Sequence, residues 1–227
     1  MKKIVVFTGA GISVESGLKT FRGDDGLWEG YSIEEVATPQ GWRANPKQVL
    51  DFYNVRRKQC ISAEPNEAHS ALAALERQFD VHIITQNIDD LHERAGSSKV
   101  LHLHGEIRKA QSSLNPSLVY SMGEDTIEIG DVCELGSQLR PHVVWFGETV
   151  PNLEKAIQLT KQADIFIVIG TSLQVYPAAN LLHEVSDACA TYLIDPNADH
   201  LEIPARVNRL TANATEGMQI LSLLLAK

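Results

Sequence analysis

Short, almost uninterrupted runs of isoleucine and valine recur along the chain, with helix-like segments between them. Runs of this kind are typical of strands buried on both faces of a parallel sheet, because helices cover both faces. The alternation of such strands with helices predicts an α/β protein with a doubly wound parallel sheet. The predicted strands cover residues 3–8, 81–85, 143–146, 165–169 and 191–194, with a shorter one at 207–210.

Capping residues predict where the helices begin. Asn45 stands before Pro46, which suits the first helical position, and Asn66 suits the cap of a second helix. Two further helix starts are predicted at Pro151 and Pro177, and a last helix over residues 215–225.

Two regions do not follow the alternation of strands and helices. Residues 30–78 are typical of helices and loops, and residues 106–141 are rich in turns, with weak strand signals at 118–120 and 126–129. Both are long for connections in a compact sheet. We predict that they are two insertions that form a small second domain (30–78 plus 106–141). The large domain would comprise residues 1–29, 79–105 and 142–227, with the binding cleft between the two domains.

A glycine-rich stretch, GAGISVESGLKTFRG at residues 9–23, begins where the first predicted strand ends. This position suits a loop that holds a dinucleotide. The stretch departs from the usual fingerprint because Val14 stands where a third glycine is expected. In addition, no second strand ending in an acidic residue follows about 20 residues on. The pattern therefore predicts NAD binding for a reaction other than ordinary hydride transfer.

Polar side chains follow other predicted strands. The segment TQNIDDLH at 85–92 offers donors and acceptors for an amide and a ribose, although Asn87 or Asp89 would serve equally well as a helix cap. The GTS segment at 170–172 suits a phosphate or ribose held by backbone N–H groups. The DPN segment at 195–197 suits an adenosine ribose, and turn formation alone also explains it.

Two histidines, His102 and His104, alternate with leucines in LHLHGE, so a strand would place both on one face. Metal binding is one alternative, but no third ligand stands at a telling spacing. His104 precedes a glycine at a strand end and suits a general base, because its pKa lies near neutrality. Further on, Gly147 follows a hydrophobic run and allows a substrate peptide to pair there as an added strand, unless the segment is an ordinary turn.

Together these motifs resemble the sirtuins, the NAD-dependent protein lysine deacylases. The matching elements are GAGISVESGLKTFRG, TQNIDDLHERAG, LHLHGE, QLRPHVVWFGE and GTSLQVYPAA, and the resemblance runs from residue 4 to about residue 200. The family implies a Rossmann-like NAD domain and a small domain formed from two insertions. It also implies that NAD is a consumed co-substrate. The acyl oxygen attacks C1′ of the ribose, and the products are nicotinamide, deacylated lysine and O-acyl-ADP-ribose.

The resemblance assigns roles to matching positions. The catalytic residues would be His104, as general base, and Asn87. The NAD-binding residues would be Gly9, Ala10, Gly11, Ser13, Phe21, Arg22, Trp28, Gln86, Asn87, Ile88, Asp89, Gly170, Thr171, Ser172, Asp195, Asn197 and Ala214. The substrate peptide and its acyl-lysine would contact Tyr53, Arg56, Val144, Phe146, Gly147, Glu148 and Val175.

Tyr53 and Arg56 stand three positions apart on the helix begun by Pro46 and therefore share a face. A phenol and a guanidinium together can bind a carboxylate. The spacing matches the sirtuin subgroup that removes succinyl and malonyl groups, although a surface Tyr–Arg pair without function has the same pattern. We predict that desuccinylation is more efficient than deacetylation.

Most sirtuins carry a structural zinc held by four cysteines in the small domain. The corresponding region here, residues 108–139, has one cysteine, Cys133, and one thiolate cannot build a tetrahedral zinc site. We therefore predict no zinc, with hydrogen bonds and turns of Ser112, Ser113, Asn115 and Ser137 in its place. The three cysteines of the chain form no CxxC pair, so a reducing cytoplasm is the expected location.

The net charge of −9 argues against general nucleic-acid binding. It is compatible with lysine-rich protein substrates, although solubility alone explains it more simply. No apolar run approaches the ~20 residues of a membrane span. We expect a monomer that acts on acyl-lysine proteins and binds neither nucleic acid nor membrane. The alternatives are an NAD-dependent mono-ADP-ribosyltransferase, which would share the NAD site, and an inactive NAD or acyl-lysine sensor. A dehydrogenase is disfavoured by the missing acidic residue.

Overall fold

The computed structural model describes residues 1–20 and 30–225. The strands are β1 (Lys3–Thr8), β2 (Asp80–Thr85), β3 (Val100–His102), β4 (Gly105–Ser112), β5 (Val119–Ser121), β6 (Leu139–Val143), β7 (Ile165–Ile169), β8 (Ala190–Ile194) and β9 (Asn208–Leu210). The helices are α1 (Ile33–Val36), α2 (Pro39–Ala44), α3 (Pro46–Ser62), α4 (Glu67–Leu75), α5 (Leu91–Arg94), α6 (Leu153–Lys161) and α7 (Ala214–Leu225). Short 3₁₀ segments cover Ala10–Ser16, Ala178–His183 and Ala198–His200.

Six parallel strands form the main sheet in the order β3-β2-β1-β7-β8-β9. The chain builds outward from β1 in one direction and from β7 in the other, so the strand order reverses between these two neighbours. In open α/β sheets the crevice for a ligand lies at such a reversal, beyond the carboxyl ends of the strands. The α/β class and the doubly wound parallel sheet are confirmed.

Apolar side chains cover both faces of this sheet, as the isoleucine and valine runs predict. Val5 and Phe7 of β1 pack on one face with the 3₁₀ segment Ala178–His183, whereas Ile4 and Val6 pack on the other with α4 and α7. The alternation of side chains along a strand explains the division. The predicted strands at residues 3–8, 81–85, 165–169, 191–194 and 207–210 are all present within one residue of their predicted ends.

The predicted parallel strand at residues 143–146 is wrong. Strand β6 ends at Val143 and pairs antiparallel with β4 in a separate three-stranded sheet of order β5-β4-β6. The apolar residues that follow are buried for a different reason, because Trp145 packs in a cluster with Tyr53 of α3. The weak strand signal at 126–129 is also wrong. The backbone N–H and C=O of Ile127 both bond to the Asn54 side chain instead of to a neighbouring strand.

The predicted helix caps agree with the structure at α3 and α4. The side-chain oxygen of Asn45 accepts from Gln48 N, and that of Asn66 accepts from Ala68 N and His69 N. Pro151 lies two residues before α6, whose N-cap position holds Asn152 without a side-chain cap hydrogen bond. Pro177 precedes a 3₁₀ segment rather than an α-helix.

The small antiparallel sheet packs with α3, so the two insertions meet. The Arg57 Nε donates to Ile107 O of β4 at 2.8 Å, and Asn54 Nδ2 donates to Ile127 O at 2.9 Å. The sequence pattern assigns helix α4 to the small domain, but Ala68 and Leu72 of this helix pack against Ile4 and Val6 of the large sheet. Residues 67–75 therefore pack with the large domain, although the sequence pattern places 30–78 in the small one. Within the described ranges, no helix has the length and apolar character of a membrane span.

Candidate active site

A cavity of about 640 Å³ lies at the reversal of strand order. Its walls come from the carboxyl ends of β1, β2, β7 and β8, from α3, and from the segment that follows β6. A cavity of this size falls within the range of small-molecule and cofactor sites. Nearly all the residues that the sequence predicts for NAD and for substrate therefore share one cleft.

Three glycines allow the loops after β1 and β7 to touch through their backbones. Gly11 N donates to Gly170 O at 2.8 Å, and Gly9 N donates to Ile169 O at 3.0 Å. A Cβ on Gly11 would stand 2.5 Å from the Cα of Gly170, and one on Gly9 would stand 2.7 Å from its carbonyl oxygen. Any side chain at these positions would push the loops apart. The glycines thus build a thin floor that suits a dinucleotide, and the residues present fit NAD.

A chain of hydrogen bonds joins this floor to the loop after β2. Asn87 Nδ2 donates to Ser13 Oγ at 3.2 Å, and Ser13 Oγ donates to Asp89 Oδ2 at 3.1 Å. Gln86 Nε2 donates to Thr171 Oγ1 at 3.0 Å, which links the same loop to the one after β7. Burial raises the pKa of Asp89, while its hydrogen bonds to Leu91 and Ser13 oppose that change. These hydrogen bonds fix the side chains relative to one another.

His104 lines the cavity and has one defined tautomer. Its Nδ1 lies 3.1 Å from Gln86 O. A carbonyl oxygen only accepts, so Nδ1 carries the hydrogen and Nε2 of the neutral ring holds the lone pair. Burial lowers the pKa of His104, and the Gln86 carbonyl offsets part of this effect. His104 therefore has the protonation state that a general base requires.

Of the two histidines of LHLHGE, His104 lines the cavity and His102 does not. Strand β3 ends at His102, and His104 lies beyond it. Both rings nevertheless contact the same loop, since His102 Nδ1 lies 3.0 Å from Asn87 O. The metal-site alternative has no support, because the described residues contain no group of three or more His, Cys, Asp or Glu arranged to hold an ion.

Tyr53 and Arg56 line the same cavity and are buried, with relative exposures of 0% and 7%. Trp145 Nε1 donates to the Tyr53 hydroxyl at 3.1 Å, and Arg56 Nη2 donates to Lys19 O at 3.1 Å. Burial raises the pKa of Tyr53, so the phenol is neutral. The alternative of a surface pair on α3 is therefore wrong.

The turn after β6 forms another part of the cavity wall. Glu148 pairs with Arg140 at 2.9 Å and accepts from Trp145 N at 2.8 Å, which folds residues 145–148 into a tight turn. Gly147 has φ +87°, a left-handed conformation that favours glycine. All five predicted substrate residues outside α3 line the cavity.

Four predicted NAD residues are not placed in the cleft. Phe21, Arg22 and Trp28 lie outside the described residues. Ala214 does not line the cavity, because it begins α7 and packs in the core under the sheet. The sequence reasoning also missed Cys60, which lines the cavity one helical turn after Arg56. Helical periodicity on α3 would have found it.

The donors of residues 108–139, for which the sequence predicts no zinc, do not fit that ion. Cys133 is the one thiol there, and its Sγ lies 3.3 Å from Ser137 Oγ. The hydroxyls of Ser112 and Ser137 lie 2.7 Å apart, and Ser112 Oγ also accepts from Asn115 N at 3.1 Å. Neutral hydroxyls are not among the usual ligands of structural zinc. Hydrogen bonds therefore tie this module together, as predicted for three of the four residues; Ser113 contributes through its backbone.

Comparisons with known proteins agree on one family. The model of the Sir2 family matches residues 9–177. An "NAD-dependent protein deacylase" of Helicobacter pylori is 55% identical over 219 residues, covering 96% of this chain and 95% of that protein. Its counterpart in Bacteroides thetaiotaomicron is 49% identical over 230 residues, covering 99% of this chain and 98% of that protein.

Solved structures give the same result. A Sir2 homolog in complex with NAD superimposes with a TM-score of 0.87 at 41% identity, covering 99% of this chain and 90% of the other. A Sir2 complex with a p53 peptide and NAD⁺ gives a TM-score of 0.77 at 29% identity, covering 98% and 93%. The family model spans most of the chain and the relatives span nearly all of it, so this chain belongs to the Sir2 family.

Proposed function

We propose that this protein is an NAD-dependent protein lysine deacylase that removes succinyl and malonyl groups, and also acetyl groups. The products would be nicotinamide, deacylated lysine and O-acyl-ADP-ribose. One observation carries the proposal: a single cavity joins the glycine floor, the neutral His104 and the buried Tyr53–Arg56 pair. The relatives in Helicobacter pylori and Bacteroides thetaiotaomicron are NAD-dependent protein deacylases, which supports the NAD-dependent deacylase activity.

The NAD end of the cleft is defined by the floor and by the loops after β7 and β8. Backbone N–H groups at the end of a strand suit the pyrophosphate, and glycines without side chains let it approach the backbone closely. Thr171, Ser172, Asp195 and Asn197 line the adenosine end of the cavity. Asn87 and Asp89 stand at the other end, where their amide and carboxylate suit the nicotinamide ribose and carboxamide. Bound NAD supplies the electrophilic C1′ on which the acyl oxygen acts.

His104 serves as the general base in this proposal. Its Nδ1 hydrogen is fixed on Gln86 O, so Nε2 is free to take a proton from a ribose hydroxyl. The role of His104 would be to hold this proton while the hydroxyl oxygen receives the acyl group and the lysine amine leaves with the addition of water. The neutral ring is essential, because an imidazolium has no lone pair to accept the proton.

Tyr53 and Arg56 would receive the carboxylate of a succinyl or malonyl group. A buried guanidinium makes charge-assisted bonds with a carboxylate, and a neutral phenol adds a hydrogen bond. An acetyl group offers no carboxylate, so the acetyl complex gains no such bond. The geometry therefore favours acidic acyl groups over acetyl.

The first test compares one peptide carrying succinyl, malonyl or acetyl on the same lysine. Arg56→Met should lower kcat/KM for the succinyl peptide by roughly 10- to 100-fold, because bonds to charged groups are strong, and should leave the acetyl peptide within about threefold. His104→Ala should lose activity on all three. Full succinyl activity in Arg56→Met would contradict the preference for acidic acyl groups but not the deacylase activity itself. NAD label transferred covalently to the protein, without O-acyl-ADP-ribose, would instead support the mono-ADP-ribosyltransferase.

The remaining proposals concern organisation. The packing favours a division into two domains with the cleft between them, with residues 67–75 assigned to the large one. A cytoplasmic location is supported by three free, buried cysteines. The expectations of a monomer, and of no nucleic-acid or membrane partner, stay predictions.

A further inference from the structure

We propose that His102 is a positioning residue: it holds the Asn87 carbonyl by a hydrogen bond and thereby sets the position of the Asn87 side chain in the cleft. Glu93 in turn holds His102 through the other ring nitrogen. The proposal rests on the proposed function, because it assigns Asn87 to the reacting end of NAD. His102 itself does not line the cavity, so its effect must pass through Asn87.

The geometry of His102 is that of a ring held at both nitrogens. Its Nδ1 lies 3.0 Å from Asn87 O and its Nε2 lies 2.8 Å from Glu93 Oε1. A carbonyl oxygen and a carboxylate both accept, so a ring that donates to both is an imidazolium. Burial alone would lower the pKa of His102, but Glu93 and the Asn87 carbonyl raise it above its ordinary value. The bond to Asn87 O is therefore charge-assisted.

Two neighbouring imidazoles fix two successive carbonyls of the loop after β2. His104 holds Gln86 O, and His102 holds Asn87 O. The Asn87 N–H donates to Thr85 Oγ1 at 3.0 Å, so the peptide groups on both sides of Asn87 are fixed. The Asn87 side chain, which donates to Ser13 Oγ, therefore extends from a backbone of fixed position. Loss of the His102 bond would release one of these two peptide groups.

Two amide substitutions separate the two bonds of His102. An asparagine places its amide nitrogen near the position of Nδ1, whereas a glutamine reaches toward the position of Nε2. His102→Asn should keep the Asn87 bond and retain kcat/KM for NAD within about threefold. His102→Gln should keep the Glu93 bond and lose roughly tenfold. Thermal unfolding should shift similarly in both variants. Equal activities, or a larger loss in His102→Asn, would overturn the proposal.

Hydrogen–deuterium exchange of residues 85–89 provides a readout that does not depend on turnover. His102→Gln should speed exchange there relative to His102→Asn, even if the wild-type protein deacylates no peptide. A wild type without deacylase activity would refute the proposed function alone, whereas equal exchange in the two variants would refute the role of His102.

A second pair of variants covers the case in which the ring cannot be replaced without unfolding. Glu93 is partly exposed, so Glu93→Ala should fold and should lower kcat/KM for NAD roughly threefold by removing charge assistance. The matched control is Asp80→Ala, because Asp80 pairs with His82 at 3.1 Å in β2, the strand that leads to the Asn87 loop, but at its amino end. Asp80→Ala should leave kcat/KM unchanged. Equal values for the two variants would overturn the proposal.

Discussion

The protonation state of one imidazole decides whether the cleft can act as a base catalyst. His104 is partly buried at the mouth of the loop after β2, and burial lowers its pKa below the ordinary value of about 6.5. Protonation would place a positive charge in a partly buried position. Burial therefore favours the neutral ring, in which Nε2 can accept a proton.

This state predicts the acid limb of the pH–rate profile. Activity should rise as pH increases through the pKa of His104, because the base is competent only when neutral. The midpoint of kcat/KM for the acyl peptide should therefore lie below about 6.5. The measurement is kcat/KM across the acid range with the wild type. A midpoint above about 7 would contradict the assignment of His104 as the titrating base.

Individual residues also show what sequence could and could not predict. The strand-end positions of Asn87, His104 and Gly170 follow from pattern, because parallel strands collect their carboxyl ends on one edge. The full burial of Arg57 does not follow, since an arginine on a helix surface is the usual expectation. Its bond to Asn54 Oδ1 lies within α3, but its bond to Ile107 O exists only after two distant segments meet.

At the scale of elements, α4 and α5 are joined by two buried histidines. The rings of His69 and His92 stand edge to face with centroids 4.9 Å apart. Burial lowers the pKa of His69 to about 4, and burial also lowers the pKa of His92. His92 Nε2 lies 3.0 Å from Thr8 Oγ1, so the pair connects the helices to the end of β1. Charging either ring in this place would weaken the contact.

This contact predicts how stability depends on pH. The unfolded chain binds a proton at His69 near pH 6.5, whereas the folded chain resists it until about pH 4. The folded pKa is depressed, so the stability from His69 is full above about pH 6.5 and is lost as pH falls toward 4. The loss is on the order of 3 kcal/mol at most.

Urea unfolding across this pH range measures the effect. His69→Gln removes the titration and should flatten the decline in the free energy of unfolding between about pH 6.5 and about pH 4. His200→Gln is the matched control, because His200 is exposed, and it should keep the wild-type slope. The same slope in His69→Gln as in the wild type would show that the buried ring does not resist protonation.

The whole molecule places two sheets around one cleft, and the sequence predicts this only in part. The parallel sheet follows from the apolar runs. The small sheet follows only at β5, where a weak strand signal stands at 118–120. Strands β4 and β6 have mixed polar and apolar residues, and β6 pairs with β4 across a long interval of sequence. The sequence pattern predicts a core strand at 143–146 because residues buried against α3 are apolar, as residues of a buried strand are.

The module between β4 and β6 must therefore be stable without a metal. Ser112, Cys133 and Ser137 form its buried centre through hydrogen bonds, and a single thiol cannot assemble a tetrahedral zinc site. We predict that elemental analysis finds no stoichiometric zinc and that a chelator leaves the thermal midpoint and the activity unchanged. Ser137→Ala should lower the free energy of unfolding by about 1 kcal/mol, because it leaves buried partners unsatisfied. Ser117→Ala, at an exposed position in the same module, should not.

One zinc per chain, or unfolding by the chelator, would mean that residues outside the cysteine pattern supply a metal site. In that case the serine cluster would be a neighbour of the stabilising group and not its replacement.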